Sequence, residues 1–372
     1  MPLTISNVGM PAPLQALLRD TSRSFYLTLQ VLPRSVRPQI GLAYLLARAT
    51  DTIADTELVP VDERLAALEA LRDRILGVRT EPINLTRLAM SQRGRSAIAE
   101  KRLLDRIETA VGQMDRLRPE DLAAVRAVLN TIAGGQELDL RRFEVPSPPA
   151  QLEGTPAAVP PVILPPLLPT ASRGGPKAIR ALTSAAELDD YTYRVAGCVG
   201  EFWTQLTRRH CFPRVPLDEA LLLSEGIAFG QGLQLVNILR DLPRDLRNGR
   251  CYLPLEDLAR VGLAPADLLD PSNEPRLRPV YRAWVEQAFR RLEAGWRYTN
   301  TIPSGHYRLR LACAWPVLIG VRTLIKLLTA NPLDPLQRIK VSRSEIRQIL
   351  LGSTLRLPLR SAWEAQFDRL LG

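Results

Sequence analysis

Two short acidic motifs constrain this chain more than anything else in it: Asp51-Thr-Ile-Ala-Asp55 and Asp241-Leu-Pro-Arg-Asp245. Each follows an apolar run patterned for a helix, and a helix places both carboxylates of a motif one turn apart on one face. In a chain rich in Leu and Ala, carboxylate pairs of this kind are satisfied when two helices face each other across a cavity. There they hold hard cations against a strongly anionic substrate.

The flanks of the motifs match. Tyr44, Arg48, Asp51 and Asp55 form one stripe, because each step of three or four residues returns to the same side of a helix turning by about 100° per residue. Gln234, Asn237, Asp241 and Asp245 repeat that stripe almost step for step, with Arg240 beside them. A single DxxxD on a helix is ordinarily a solvated face, but duplication with matching flanks is not explained that way. Carboxylates at i and i+4 suit Mg²⁺, which keeps waters and phosphate oxygens among its ligands. Metal-bound diphosphate is a good leaving group, and Arg48 and Arg240 fit its oxygens bidentately. Apolar walls would hold a hydrocarbon tail and keep water from a carbocation. This is ionisation chemistry on an isoprenoid diphosphate, which also suits a terpene cyclase or a chain elongase.

Other chemistries find little support. His210 and His306 both sit in loop-like sequence, read as surface, and make a hydrolase triad or His-ligated metal unexpected. Gly230-Gln-Gly232 lies inside a helical pattern without the third glycine or preceding strand of a dinucleotide loop. Cys198, Cys211, Cys251 and Cys313 show no CxxC spacing and are expected as free thiols. The net charge of +10 suits a diphosphate or an anionic membrane surface. The basic residues are scattered, so nucleic acid is not expected as a partner. No signal peptide is visible. The longest apolar stretch, 311–328, is interrupted by Arg322 and Lys326, which argues against a membrane span. A cytoplasmic protein with possible peripheral contact with the inner membrane surface is the expectation.

Apolar periodicity predicts helices over residues 12–31, 35–55, 61–76, 96–117 and 119–141. The last of these runs into paired glycines and a cluster of charges, Gly134 to Phe143, expected as a frayed end or a flap. Residues 146–176 are dense in proline and read as an insertion within one domain spanning 1–372. Helical pattern resumes at Ala186, where Ala196, Gly197 and Gly200 allow close approach of another element. It continues over 216–247, 277–299, 306–328, 342–351 and 356–371, with no run of strands. The expected class is all-α, a large antiparallel bundle around a central cavity.

Four groups of residues together resemble the squalene and phytoene synthases: Ser22-Arg23-Ser24-Phe25, Tyr44-x3-Arg48-x2-Asp51-x3-Asp55, Tyr191-x-Tyr193-x-Val195-Ala196-Gly197, and Gln234-x2-Asn237-Ile-Leu-Arg240-Asp241-x3-Asp245. They occur in the family's order over about residues 20–255. The resemblance implies the isoprenoid synthase fold and Mg²⁺-dependent head-to-head condensation of two prenyl diphosphates. It also implies that Asp51, Asp55, Asp241 and Asp245 coordinate Mg²⁺ and diphosphate. Ser22, Arg23, Phe25, Arg48, Gln234, Asn237 and Arg240 would bind or orient substrate, and Tyr44 and Tyr191 would stand at the reacting carbons. The stretch Cys313-Ala-Trp-Pro316 through Thr323-Leu324, followed by Lys340 and Arg343, resembles the C-terminal part of the squalene synthases. That implies joining two farnesyl diphosphates to presqualene diphosphate and reducing it to squalene with NADPH, Lys340 and Arg343 lying near the cofactor phosphate. A phytoene or dehydrosqualene synthase without reduction is the alternative within the family, and a non-catalytic membrane-surface protein on the same scaffold is the remote one.

Overall fold

The computed structural model describes residues 10–22, 25–94, 96–144, 178–337 and 339–371. Arg23 and the proline-rich insertion lie outside them, and of Phe25 only the backbone is described. The first half consists of α1 (Ala12–Ser22), α2 (Phe25–Val31), α3 (Arg37–Ala54), α4 (Val61–Leu76), α5 (Thr86–Met90), α6 (Ala97–Asp105), α7 (Ile107–Val111) and α8 (Pro119–Phe143). After the insertion come β1 (Arg180–Ala181), α9 (Ala185–Thr192), a π-helical turn (Tyr193–Gly197), α10 (Cys198–Cys211) and α11 (Glu219–Arg247). The chain then forms β2 (Arg250–Cys251), α12 (Leu255–Arg260), α13 (Glu274–Thr301), α14 (Tyr307–Thr329), α15 (Arg343–Arg356), α16 (Arg360–Glu364) and α17 (Asp368–Leu371). The class is all-α, as the periodicity predicts.

Helix starts follow local chemistry. Asp218 caps α11 by accepting from the Leu221 amide at 2.9 Å, and Ser342 caps α15 in a reciprocal capping box with Glu345. Pro119 opens α8 where a missing amide costs nothing. Two hydrophobic clusters, one built around α3, α4 and α8 and the other around α11, α13 and α14, fill the space between the helices. Burial of each leucine in them contributes about 2 kcal/mol.

Several local expectations are corrected. The predicted helix over 12–31 is two helices, and that over 96–117 breaks at Arg106, whose amide reverts to an i−3 bond with the Leu103 carbonyl. α8 continues through both glycines to Phe143. Gly135 serves contact there: a Cβ on it would lie 2.9 Å from Cβ of Arg194. A two-residue parallel ladder pairs Arg180 with Arg250 and Ala181 with Cys251, too short to leave a periodic signal.

His210 is not a surface residue. It ends α10 with its side chain 9% exposed, and its Nε2 lies 2.8 Å from the buried Asp121 carboxylate. The four cysteines are free thiols, as expected. The helix that includes Leu311–Leu328 is long and apolar enough to cross a bilayer, contrary to expectation, although most of it is buried within the fold. Arg322 and Lys326 at its end both pair with Glu345 of α15.

The candidate active site

Small residues bring the second-half helices together closely enough to frame a cleft. A Cβ at Gly200 of α10 would lie 1.9 Å from the Gly226 carbonyl of α11, so the two backbones are in direct contact. The expectation of close approach at Ala196, Gly197 and Gly200 is met by α11. Between α3, α8, α9 and α11 lies a polar cavity of about 390 Å³. Asp51 and Asp55 line one side, Asp241 and Asp245 the other, and the predicted Tyr44, Arg48, Tyr191, Gln234 and Asn237 line it with them. An apolar cavity of about 290 Å³ adjoins it and shares Tyr44, Gln234, Asn237 and Val195. Its deeper wall includes Val128, Ile132, Phe202, Trp203, Phe229 and Pro316.

The second acidic motif contains Pro243, which cannot donate to the Leu239 carbonyl one turn back. The Tyr281 hydroxyl from α13 donates to that carbonyl at 3.0 Å instead. A proline can therefore sit between Asp241 and Asp245 without orphaning a buried acceptor.

Arginines neutralise part of the charge. Arg48 donates to Asp51 and to Glu100 of α6, each at 2.6 Å. Arg240 pairs with both oxygens of Asp241, at 2.9 and 2.8 Å. Partial desolvation at the cleft raises Asp51, whose side chain is still 43% exposed, above the usual carboxylate range, with Asp55 adding repulsion against the pull of Arg48. It raises Asp55 in the same direction. Burial likewise pushes Asp245 up to about 7 despite Arg244, with Asp241 adding to the rise. Raised carboxylates facing one another are an excess of desolvated negative charge, which a cation relieves.

Five polar residues that sequence reasoning did not assign also line the polar cavity: Gln136 and Asp139 of α8, Arg244 of α11, Arg250 of β2 and Tyr252 after it. Asp139 falls one heptad after Ile132 and two after Val125 on the buried face of α8, and a carboxylate in that apolar stripe was the available signal. Burial pushes it up to about 6, although Arg250 and the Tyr252 hydrogen bond oppose the rise. Tyr252 donates to Asp139 at 2.8 Å, and Tyr191 donates to Tyr252 at 3.3 Å. Burial raises the Tyr191 hydroxyl well above its ordinary value.

Tyr191 is the penultimate residue of α9, just before the π-helical turn, a feature that collects at functional sites. Arg291 of α13, 9% exposed, secures this junction. Its guanidinium donates to Asp189 at 2.5 Å and to the Thr192 hydroxyl at 3.4 Å.

Four described residues of the predicted set line neither cavity, among them Arg240, which reaches the site only by pairing with Asp241. Ser22 is buried and donates back to the Leu18 carbonyl, lining neither cavity. Lys340 and Arg343 are exposed at the start of α15, also outside both cavities. Among the described residues no three His, Cys, Asp or Glu side chains converge into a ready-made metal cage. The two aspartate pairs fit Mg²⁺ on their chemistry, as hard oxygen donors facing one another across the cavity, with substrate oxygens and water completing the shell.

The sequence model described as squalene/phytoene synthase matches residues 18–345. The presqualene diphosphate synthase of Zymomonas mobilis is 28% identical over 344 residues, which cover 91% of this chain and 90% of that one. The 15-cis-phytoene synthase of Synechocystis is 34% identical over 152 residues, 39% of this chain and 43% of that one. Matches to the bifunctional lycopene cyclase/phytoene synthase of Gibberella fujikuroi likewise span less than half of the relative, 46% of its length, at 26% identity over 82% of this chain. Among solved structures, TcSQS with a bound ligand superposes with a TM-score of 0.71 at 19% identity, covering 97% of this chain and 92% of that one. A dehydrosqualene synthase with a bound ligand gives 0.57 at 20% identity, over 94% and 99%. At these identities the structural likeness concerns the fold, which is that of the isoprenoid synthases.

Proposed function

Because the chain belongs to the squalene/phytoene synthase family, we propose that it joins two farnesyl diphosphates head to head to give presqualene diphosphate. The supporting observation is the continuity of the two cavities through Tyr44, Gln234 and Asn237. Diphosphates would lie against the aspartates and arginines, and the prenyl tails would lie in the apolar chamber. Asp51, Asp55, Asp241 and Asp245 would hold Mg²⁺, which when bound neutralises charge on the departing diphosphate. Arg48, Arg250 and Arg244 line the same cavity and would share its phosphate oxygens. Apolar walls exclude water from the allylic cation, and the Tyr191 hydroxyl, kept protonated, offers its oxygen to developing positive charge beside the shared wall.

Reduction of the product by NADPH to squalene is the second part of the proposal. It rests on the C-terminal resemblance around Lys340 and Arg343. Their exposed side chains have no carboxylate partner among the described residues and suit a phosphate, but no hydride step is assigned to residues lining the cavities. Purified protein, farnesyl diphosphate and Mg²⁺, with and without NADPH, separate the readings. Squalene only with NADPH supports both parts. Presqualene diphosphate in both tubes leaves the condensation and removes the reduction, and turnover confined to geranylgeranyl diphosphate would replace the substrate with that of the phytoene branch. Activity of Asp241→Asn equal to that of the unaltered protein would sink the aspartate site.

Peripheral membrane contact is proposed at α15. Arg343, Arg347, Leu351 and Leu355 run in steps of four along it, with Leu359 just beyond its end. The three leucines are between 61% and 75% exposed, and basic and apolar groups side by side match an anionic lipid surface. Flotation with vesicles containing phosphatidylglycerol at low salt, and its loss in a Leu351/Leu355/Leu359→Gln variant, is the expected result. A protein that stays at the bottom of the gradient overturns this reading.

A further inference from the structure

Arg250 is held in the polar cavity partly by Glu144 and Arg64, which do not line it. It occupies β2, where the backbone ladder with β1 fixes its position: the Arg180 amide donates to the Gly249 carbonyl at 3.0 Å, and the Leu182 amide to that of Cys251 at 3.1 Å. Its guanidinium donates to Glu144, the residue at the C-terminal cap of α8, and stands 3.7 Å from Asp139. Glu144 in turn accepts from Arg64 of α4, whose side chain is 3% exposed. Arg64 also donates to the Ala54 carbonyl at 2.7 Å, at the end of α3 between the two aspartates of the first motif. One carboxylate thus ties Arg250 to the backbone that carries Asp55.

We infer that Glu144 and Arg64 are positioning residues for diphosphate binding: they aim Arg250 into the polar cavity and lock it in register with the first aspartate motif. An arginine left without Glu144 has several rotamers available and would turn further toward Asp139, already 3.7 Å away, or toward Asp245, collapsing onto the cation-binding side. With Glu144 in place, one fork of the guanidinium is engaged and the rest is presented at a fixed angle. Arg64 and Arg250 together offset the desolvation of Glu144, whose side chain is 13% exposed, so its carboxylate is held from both sides. This inference rests on the diphosphate reading of the polar cavity.

The test measures binding of inorganic pyrophosphate with Mg²⁺ by calorimetry, beside thermal melts, for the unaltered protein, Glu144→Gln, Arg250→Gln and the double variant. Loss of a charge-assisted hydrogen bond that orients Arg250 should weaken pyrophosphate about tenfold in Glu144→Gln. If Glu144 acts through Arg250, the double variant binds no more weakly than Arg250→Gln, and the melting shifts of these two contacting residues likewise fall short of additive. Arg64→Lys, which keeps charge but loses the fork, should show a smaller loss and serves if Glu144→Gln does not fold. Binding in Glu144→Gln and Arg64→Lys equal to that of the unaltered protein overturns the inference, as do losses that multiply in the double variant. Absence of pyrophosphate binding by the unaltered protein would instead bring down the diphosphate site together with this inference.

Discussion

The rings of Tyr191 and Tyr252 stack with centroids 4.8 Å apart, and their hydroxyls are joined at 3.3 Å. Because Tyr252 also donates to Asp139 at 2.8 Å, the Tyr191 oxygen is left with its lone pairs directed by a chain that ends on a buried carboxylate. Tyr252→Phe keeps the stack and removes the link. The rate of condensation should fall about tenfold, the worth of one buried hydrogen bond to a charged chain. Single-turnover kinetics with farnesyl diphosphate checks this, and an unchanged rate would show that the chain is packing only.

Arg291 acts one step further out, on the junction between α9 and the π-helical turn. Gln231 shares that task, donating to the Asp189 carbonyl at 3.2 Å. Arg291→Met should lower kcat about tenfold with little change in KM, since Tyr191 moves but the diphosphate groups do not. Arg291→Lys, retaining charge without the two-pronged donor, should recover part of it. Equal losses in kcat and thermal midpoint for both variants, with no recovery, would indicate general destabilisation instead.

The two aspartate stripes were legible because they lie on long, regular helices, where spacing alone fixes the face. Asp139, Arg250 and Tyr252 were harder, since each is placed by tertiary contact. Asp139 lies after a glycine pair that propensity reads as a helix end, yet packing of Arg194 against Gly135 carries α8 past it. Arg250 sits in a two-residue strand whose partner is seventy positions earlier in sequence. His210 looked superficial because the sequence does not show that Asp121, at the start of α8, turns inward to meet it. Ser22 belongs to a resemblance to which its side chain, bonded within its own helix, adds nothing at the cavity.

That inward Asp121 gives the fold an acid sensitivity. Burial alone would raise its carboxyl, but hydrogen bonds from His210 and Gln39, with Arg209 behind them, hold it below the usual range. The ionised group therefore stabilises the fold above the unfolded value of about 3.9, and that contribution is lost as pH falls through the lower folded value. Asp121→Asn, which leaves His210 and Arg209 without their anion, should cost about 3 kcal/mol at pH 7. The difference from the unaltered protein should narrow in strong acid. Urea unfolding at neutral and acid pH measures it, and a gap independent of pH would exclude Asp121 as the source.

Gly134 and Gly135 are adjacent in α8 and should respond oppositely to the same change. A methyl group at Gly134 would meet nothing within 4 Å, so Gly134→Ala exchanges a flexible residue for a better helix former. It should raise stability by about 0.5–1 kcal/mol. At Gly135 the methyl would come within 2.9 Å of Cβ of Arg194 and 3.4 Å of Val195, on the π-helical turn that lines the apolar cavity. Neither atom is the free end of a long side chain, so α8 and the turn must separate. Gly135→Ala should cost about 1–3 kcal/mol and displace Val195 at the boundary between the cavities, lowering turnover as well as the melting midpoint. Parallel denaturation and activity measurements on the two variants decide the matter. If both alanines stabilised the helix equally, α8 would not be clamped against the π-helical turn, and the shared wall of the two cavities would have to be placed elsewhere.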